Sequence, residues 1–403
     1  MLMQTFNPAD LTAFSRSQGE PGWFTALRTA AWEQSLELPK PNFRYGITIA
    51  LNARDLDLDA LEYRQALRDG TTITVAEQQE LRGAVVADFR TALHTHGELI
   101  RTHLFSVLGE PENRLDAIHR ALLANPMFIY VPRNVVVEMP ITLRTRIHAS
   151  VHCEHLLIIA ESGSQVTIID ETESAVGHPD GALHTKAVEA IVGDGATVRY
   201  TAVQNLNPSV YHFTRKRATV GKDGRMDWLD CCMGGKLAQV EVHTSLDGTG
   251  AASNNWGMFF GRSAQQFDLS ATVRHAAPHT TSDMLTKGAV TDHAKAICRG
   301  LIRMERNAVQ SNGFQRADTL LLSPDAEADN IPALEIDNAD VKCSHASTIG
   351  QVDADRLFYL MSRGIPEDAA RRMLVQSLFA PLIARVESTV MQQILQRIIL
   401  ERI

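Results

Sequence analysis

The sequence predicts an α+β fold in which a long run of short strands is flanked at both ends by helical segments. Three observations carry this. From about residue 126 to 350, apolar or alternating runs of about five residues recur between turn residues, at 156–159, 166–169, 188–192, 198–202 and 226–229. Gly163, Gly195 and Gly224 each precede one of these runs and stand 32 and 29 residues apart. That period suits stacked strand coils, and equally the turns of an antiparallel sandwich. Before residue 126 and after 350, apolar residues instead repeat every three to four positions. The expected organisation is therefore 1–125 mainly helical, 126–350 strand body, 351–403 helical.

The chain has 403 residues, 44% hydrophobic and 21% charged, enough for a sizeable core and two or three domains. With a net charge of −8 and no long run of Lys and Arg, nucleic acid is not an expected partner. No apolar run approaches the ~20 residues that span a membrane. The start, MLMQTFNPAD, lacks the basic and apolar regions of a signal peptide. Five scattered cysteines form no secreted disulfide framework, so a reducing cytoplasm is expected.

In the N-terminal region, Trp23, Leu27, Ala30 and Ala31 place a helix within 8–38. Glu20-Pro21-Gly22 suits a helix start, and Pro39-Lys40-Pro41 a break. Further helical stretches are expected at about 76–107 and 114–124. His94, His96 and His103 lie in the first of these and read as partly exposed. At the other end, Asp353 can cap a helix carrying Leu357, Phe358, Leu360 and Met361, Gly364 stops it, and Pro366 opens the next. That helix has two apolar rows, Leu374/Leu378/Leu382 and Val375/Phe379/Ile383, and Pro381 should kink or split it. A last helix runs from about Glu387 with Ile394, Leu395, Ile398, Ile399 and Ile403 on its apolar side.

Candidate chemistry is sparse. Leu334, Ile336, Val341, Cys343 and His345 alternate with polar residues as strand, turn, strand. Cys343 and His345, two apart, leave one face of a strand about 6–7 Å from each other. Thiolate and imidazole suit iron or zinc, but two ligands do not close a site. His148, His152, Cys153 and His155 form the densest ligand cluster. Strand alternation puts His148, His152 and Glu154 on one face and Cys153 and His155 on the other, which argues against a metal site. Cys231-Cys232 reads as two reduced thiols pointing oppositely. His275 and His279 flank Pro278 in an expected solvated turn, and His293 and Cys298 belong to the coil stack. Gly234-Gly235-Lys236-Leu237 lacks the spacing and hydroxyl of a P-loop, and no Gly-x-Ser-x-Gly elbow or carboxylate dyad stands out.

The wording of two segments adds to this. LEIDNADVKCSHASTIGQVDADRLFYLMSRGI, within 331–365, and RLDAIHRALLANPMFIYVPRNVVVEMPI at 114–141 resemble the SufB/SufD family of iron–sulfur cluster assembly proteins. In the second segment the likeness rests on a Phe128-Ile129-Tyr130-Val131-Pro132 strand and a valine-rich strand, Val135 to Ile141. The Lys342-Cys343-Ser344-His345 version is most like SufD. SufB members carry a cysteine about where Arg316 and Ala317 stand, whereas no cysteine lies between Cys298 and Cys343 here. Ala346-Ser347, in place of the usual Gly-Ala, and Asn125-Pro126-Met127, in place of an Asp-Gly-x turn, depart from the pattern.

The resemblance implies a right-handed parallel β-helix core with helical flanks. It implies a non-enzymatic cytoplasmic subunit working with a SufB-like subunit, as a heterodimer, and a SufC-like ABC ATPase, with a homodimer as an alternative open to the chain when alone. No tightly bound cofactor is expected, only a transient iron–sulfur cluster or iron in the assembled complex. His345, with Cys343 second, is the expected contributor at the partner interface. Leu374, Leu378, Phe379, Leu382 and Ile383 are the expected ATPase-docking residues. The rival expectations are a β-helix enzyme acting on polysaccharide and a zinc hydrolase using the His148–His155 cluster.

Overall fold

Each coil of the central region gives one strand to each of two sheets, so the chain winds as a flattened parallel β-solenoid. This is seen in a computed structural model that describes residues 6–41, 47–68, 72–75, 81–123, 126–386 and 389–402. Five expected positions, Ala76, Ala124, Asn125, Glu387 and Ile403, lie outside the described residues.

The first sheet runs β1 (Thr72–Val75), β4 (Ile141–Ile147), β6 (Gln165–Ser174), β8 (Thr197–Asn205), β10 (Arg225–Cys232), β12 (Ala252–Gly261), β14 (Thr281–Val290), β16 (Asn312–Leu321), β18 (Lys342–Gln351). The second runs from β2 (Val85–Asp88) through β3 (Met127–Val131), β5 (Val151–Ala160), β7 (Leu183–Val192), β9 (Tyr211–Val220), β11 (Leu237–Leu246), β13 (Gln266–His275) and β15 (Lys295–Met304) to β17 (Glu327–Ile336). All neighbours are parallel except β1 on β4 and β2 on β3, which are antiparallel and close one end of the stack. Parallel registers such as Leu183↔Tyr211 and Gln266↔Lys295 rule out the antiparallel sandwich.

Most strands are ten residues long, twice the expected apolar runs. The reason is that the first half of several strands is polar yet inward-facing, as in His152 and Glu154 of β5 or His184 and Lys186 of β7. Their second halves build the apolar bore, with Leu156, Ile158, Val188, Ala190, Ala218 and Val220 all buried. The run Val135–Ile141 is not a strand. Proline at 132 and 140 removes backbone donors, so it makes a single bridge, Val136 to Gln165, and β4 starts only at Ile141.

The outer faces are covered by helices. α1 (Pro8–Ser17), α2 (Gly22–Glu37), α3 (Tyr63–Arg68), α4 (Phe89–His103) and α5 (Arg114–Ala121) belong to the N-terminal region, and clusters around Trp32, Tyr63 and Phe128 join them to the second sheet. The stretch expected to be one helix from 76 instead enters β2, because β-branched Val85 and Val86 pair with β3 before Asp88 caps α4 through the Thr91 N–H. Two buried charges bind this layer. Arg28 donates to Ala121 O (3.0 Å) and Leu123 O (2.5 Å) and pairs with Glu20. Glu189 of β7 accepts the N–H groups of Phe105, Val107 and Leu108. At the C-terminal end, α6 (Ala354–Ser362) has its Asp353 cap and left-handed Gly364, as expected. α7 (Glu367–Ile383) holds Pro381 in its last turn and ends there, and α8 (Thr389–Leu400) follows.

Candidate functional site

The two ends of the solenoid differ. One is closed by antiparallel β1 and β2; at the other, β17 and β18 each have a neighbour on one side only among the described residues. These last strands are ten residues each; β18 is largely exposed and β17 mostly half-buried. A parallel strand edge of that length presents a row of unpaired N–H and C=O groups.

Cys343 and His345 sit on β18, in register with Gly313 and Gln315 of β16. Cys343 packs on the bore cluster, so the alternation of the strand turns His345, two residues on, toward the bore as well. His345 is exposed because no further coil follows it, whereas Gln315 above it is buried and donates to Ala333 O (2.9 Å). Burial pushes the Cys343 thiol up, which disfavours thiolate until a cation or partner offsets it. Ile336 and Ile349, both exposed, stand in the same terminal coil. The two expected ligand residues are thus brought together at an open apolar mouth.

Deeper in the bore lies a polar chain. His184 Nε2 faces the Glu154 carboxylate at 2.9 Å, and its Nδ1 faces His212 Nδ1 at 2.8 Å. In the neutral form His184 must donate to the carboxylate, so its Nδ1 accepts from His212, whose Nε2 then accepts the Thr214 hydroxyl (2.7 Å). Lys186 bridges Glu154 (3.0 Å) and Asp170 (2.7 Å), and Asp170 also accepts from Tyr200. Burial alone would raise the Glu154 carboxyl, but Lys186 and His184 hold it well below the usual range. Burial likewise pushes His212 far below its ordinary value. A legible signal existed: His152, His184 and His212 are 32 and 28 residues apart, the coil period itself.

In the His148–His155 cluster, His148 departs from the expectation: it lies exposed in the turn before β5, and only the strand residues divide as the alternation requires. His152 and Glu154 face the bore, while Cys153 and His155 face the N-terminal helices, where His155 pairs with Glu189 at 3.0 Å. No three His, Cys, Asp or Glu side chains converge on a metal position among the described residues. Cys231 and Cys232 point to opposite faces, and both are free and buried. His275 corrects the expectation of a solvated turn. It closes β13 and is fully buried, with Thr280 Oγ1 and Ser282 Oγ each 2.8 Å from its ring nitrogens. His279 does occupy the turn, at φ 59°.

The five expected docking residues are not equally available. Phe379, Leu382 and Ile383 are buried against Leu229, Met258, Phe260 and Leu285 on the outer face of the first sheet, because α7 must cover that apolar surface. Leu374 and Leu378 are half-buried. The open apolar surface belongs to α6, none of whose residues is buried; Phe358 is 73% and Tyr359 56% exposed. No described helix is long and apolar enough to cross a membrane.

A helix-flanked parallel solenoid whose last coil has, among the described residues, no strand beyond it and carries an inward Cys-x-His defines a parallel coil-stack protein. Comparison with known proteins makes the class specific. Residues 143–378 match the model of the SUF system FeS cluster assembly SufBD core domain. The chain is 31% identical over 407 aligned positions to the iron–sulfur cluster assembly protein SufD of Bacillus subtilis, covering 93% of this chain and 92% of that one. It is 33% identical over 307 positions to a SufBD family protein of Staphylococcus epidermidis, covering 76% of this chain and 66% of the relative. The chain belongs to the SufBD family of iron–sulfur cluster assembly proteins.

Proposed function

We propose that this chain is a SufD-like, non-enzymatic scaffold subunit of the cytoplasm that pairs through its last coil with a SufB-like subunit. The observation that carries the reading is the asymmetry of the stack: one end is closed by antiparallel strands, and the other offers, among the described residues, two free parallel edges around an apolar mouth. A partner strand on β17 or β18 would continue the ladder. His345 and Cys343 lie at that mouth, so a nascent iron–sulfur cluster or iron ion, as cargo, would take them together with ligands from the partner. An imidazole ligand exchanges more readily than a thiolate, which suits a cluster that must be passed on. Two ligands from each side would complete the usual four.

The energy-transducing partner of this reading is a SufC-like ATPase docking on the C-terminal helices. Support comes from exposed Phe358, Tyr359 and Met361 on α6, beside half-buried Leu374 and Leu378 on α7. Phe379, Leu382 and Ile383 would serve by holding α7 on the sheet.

The test is co-expression with SufB-like and SufC-like chains. His345→Ala should leave the heterodimer intact and lower the cluster formed by the complex. Undiminished cluster formation removes His345 from the reading. Phe358→Asp with Met361→Asp should release the ATPase and keep the heterodimer, and retention of the ATPase at full affinity places its docking elsewhere. A homodimer as the sole species, with the SufB-like chain present, overturns the heterodimer.

A further inference from the structure

Residues 47–62, between α2 and α3, form neither helix nor strand, yet they are fastened along the outer face of the second sheet. Ile49, Leu51, Leu56 and Leu58 are buried in one cluster with Tyr211 of β9, Leu237 of β11 and Ile297 of β15, and Ile331 of β17 packs against it. Polar ties pin this strap at successive coils. Asp55 meets the Lys236 ammonium at 2.6 Å beside β11. Asn52 and Gln266 of β13 bond each other in both directions, Asn52 N–H to Gln266 Oε1 at 2.9 Å and Gln266 Nε2 to Asn52 O at 3.2 Å. Thr48 reaches Asp329 of β17. The strap thus crosses from β11 to the last strand of its sheet.

The tie to β17 is the densest. Asp329 Oδ1 accepts the Thr48 hydroxyl at 2.6 Å, and Oδ2 accepts the N–H groups of Thr48 at 2.8 Å and Ile49 at 3.2 Å, from 281 and 280 residues away. Asp329 is buried; burial alone would raise its carboxyl, but these donors hold it below the ordinary value, so the bonds are charge-assisted. β17 is a strand with reason to be tied. Among the described residues it has β15 on one side and no strand on the other, and a one-sided strand opens more readily than one in mid-sheet. Its exposure follows the strap: Glu327 to Pro332 are buried or half-buried, whereas Ala333, Glu335 and Ile336 further along are exposed. On the bore side Asn330 donates to Ala317 O and Thr348 O, both at 3.2 Å, so this half of β17 is held on both faces.

We propose that residues 47–49 latch the first half of β17 in ladder register and so preorganise the open coil end for its partner, with Asp329 as the positioning residue. The part concerning the partner rests on the pairing proposed above; the latch stands on the contacts of this chain alone. An edge already ordered spares the partner the cost of ordering it, which is read as tighter binding.

The experiment is hydrogen exchange followed by mass spectrometry on the full chain, comparing Asp329→Ala, Thr48→Val and Thr48→Ser with the unmodified sequence. Asp329→Ala should speed exchange about tenfold in the peptides covering 47–52 and 327–336, and Thr48→Val about threefold, with peptides from β5 and β9 unchanged. Thr48→Ser keeps the hydroxyl and should exchange like the unmodified chain. The β5 and β9 peptides show whether a variant is folded, and exposed Thr48 keeps the test decisive if Asp329→Ala is not. Binding to a SufB-like chain, measured on the same proteins, should weaken about tenfold in Asp329→Ala and stay unchanged in Thr48→Ser. Exchange in 327–336 unaltered by both Asp329→Ala and Thr48→Val overturns the latch. Faster exchange there with undiminished affinity for the SufB-like chain overturns the preorganisation. Failure of the unmodified chain to bind the SufB-like chain refutes the pairing and with it the preorganisation, while exchange still decides the latch.

Discussion

Mild acid should destabilise this protein well above the carboxylate range, because its buried histidines cannot take up a proton in place. His152 Nε2 accepts the backbone N–H groups of His148 (3.0 Å) and Ala149 (2.7 Å), so it has no room for its own hydrogen. Burial holds His152 at about 3 and His275 at about 4, and burial together with neighbouring imidazoles lowers His119 and His212 well below the ordinary value. In the unfolded chain the same imidazoles titrate near 6.5. The unfolded state therefore binds more protons between about pH 6.5 and pH 4, and stability falls as pH falls through that window. Above pH 6.5 the stabilisation is fully present. Going from pH 7.5 to 5.5, each such histidine removes about 1.4 kcal/mol, so the four together remove up to about 5 kcal/mol. That is a large share of the ~5–15 kcal/mol typical of folded proteins. Burial raises the Asp116 and Asp268 carboxyls, which acts in the opposite sense and trims the loss at the acid end. Urea midpoints followed by circular dichroism at pH 7.5, 6.5 and 5.5 measure this. A stability flat across the series, or uptake of fewer than about one proton per molecule on unfolding, would refute the reasoning.

Two further outcomes follow from the bore. Lys186→Met strands Glu154 and Asp170 as buried carboxylates, so it should destabilise by about 3–5 kcal/mol, read as a lower urea midpoint; a loss under about 1 kcal/mol would mean the pair is solvated. Gly288→Ala places a Cβ on the buried Phe259 ring inside a packed bore and should cost about 1–3 kcal/mol, whereas Gly350→Ala on the open last strand meets nothing within 4 Å and should stay within about 0.5 kcal/mol in the same assay.

Local chemistry was legible from the chain alone. Asp353, Gly364 and Pro366 act on their own neighbours, so the start and end of α6 followed from spacing. Glycine-spaced apolar runs reported the coil period because each turn of the solenoid repeats the same short-range pattern. Parity along β5 and β10 split His152 from Cys153 and Cys231 from Cys232 without reference to any other residue, and the wording around Lys342 and His345 carried the family. Tertiary structure decided what depends on stacking. Periodicity was compatible with parallel coils and with a sandwich, since a strand carries no mark of its partner's direction. The polar inward halves of β5, β7 and β9 carry no apolar run to mark them, because His184 and Lys186 are tolerated inside only by Glu154 and Asp170, which arrive from 30 and 16 residues away. Whether Phe379 faced solvent or sheet was likewise undetermined until α7 lay on β12 and β14. That His345 is exposed on an inward face is a property of the last coil alone: the side chain points where every equivalent one is buried, and it is open because no further coil follows among the described residues.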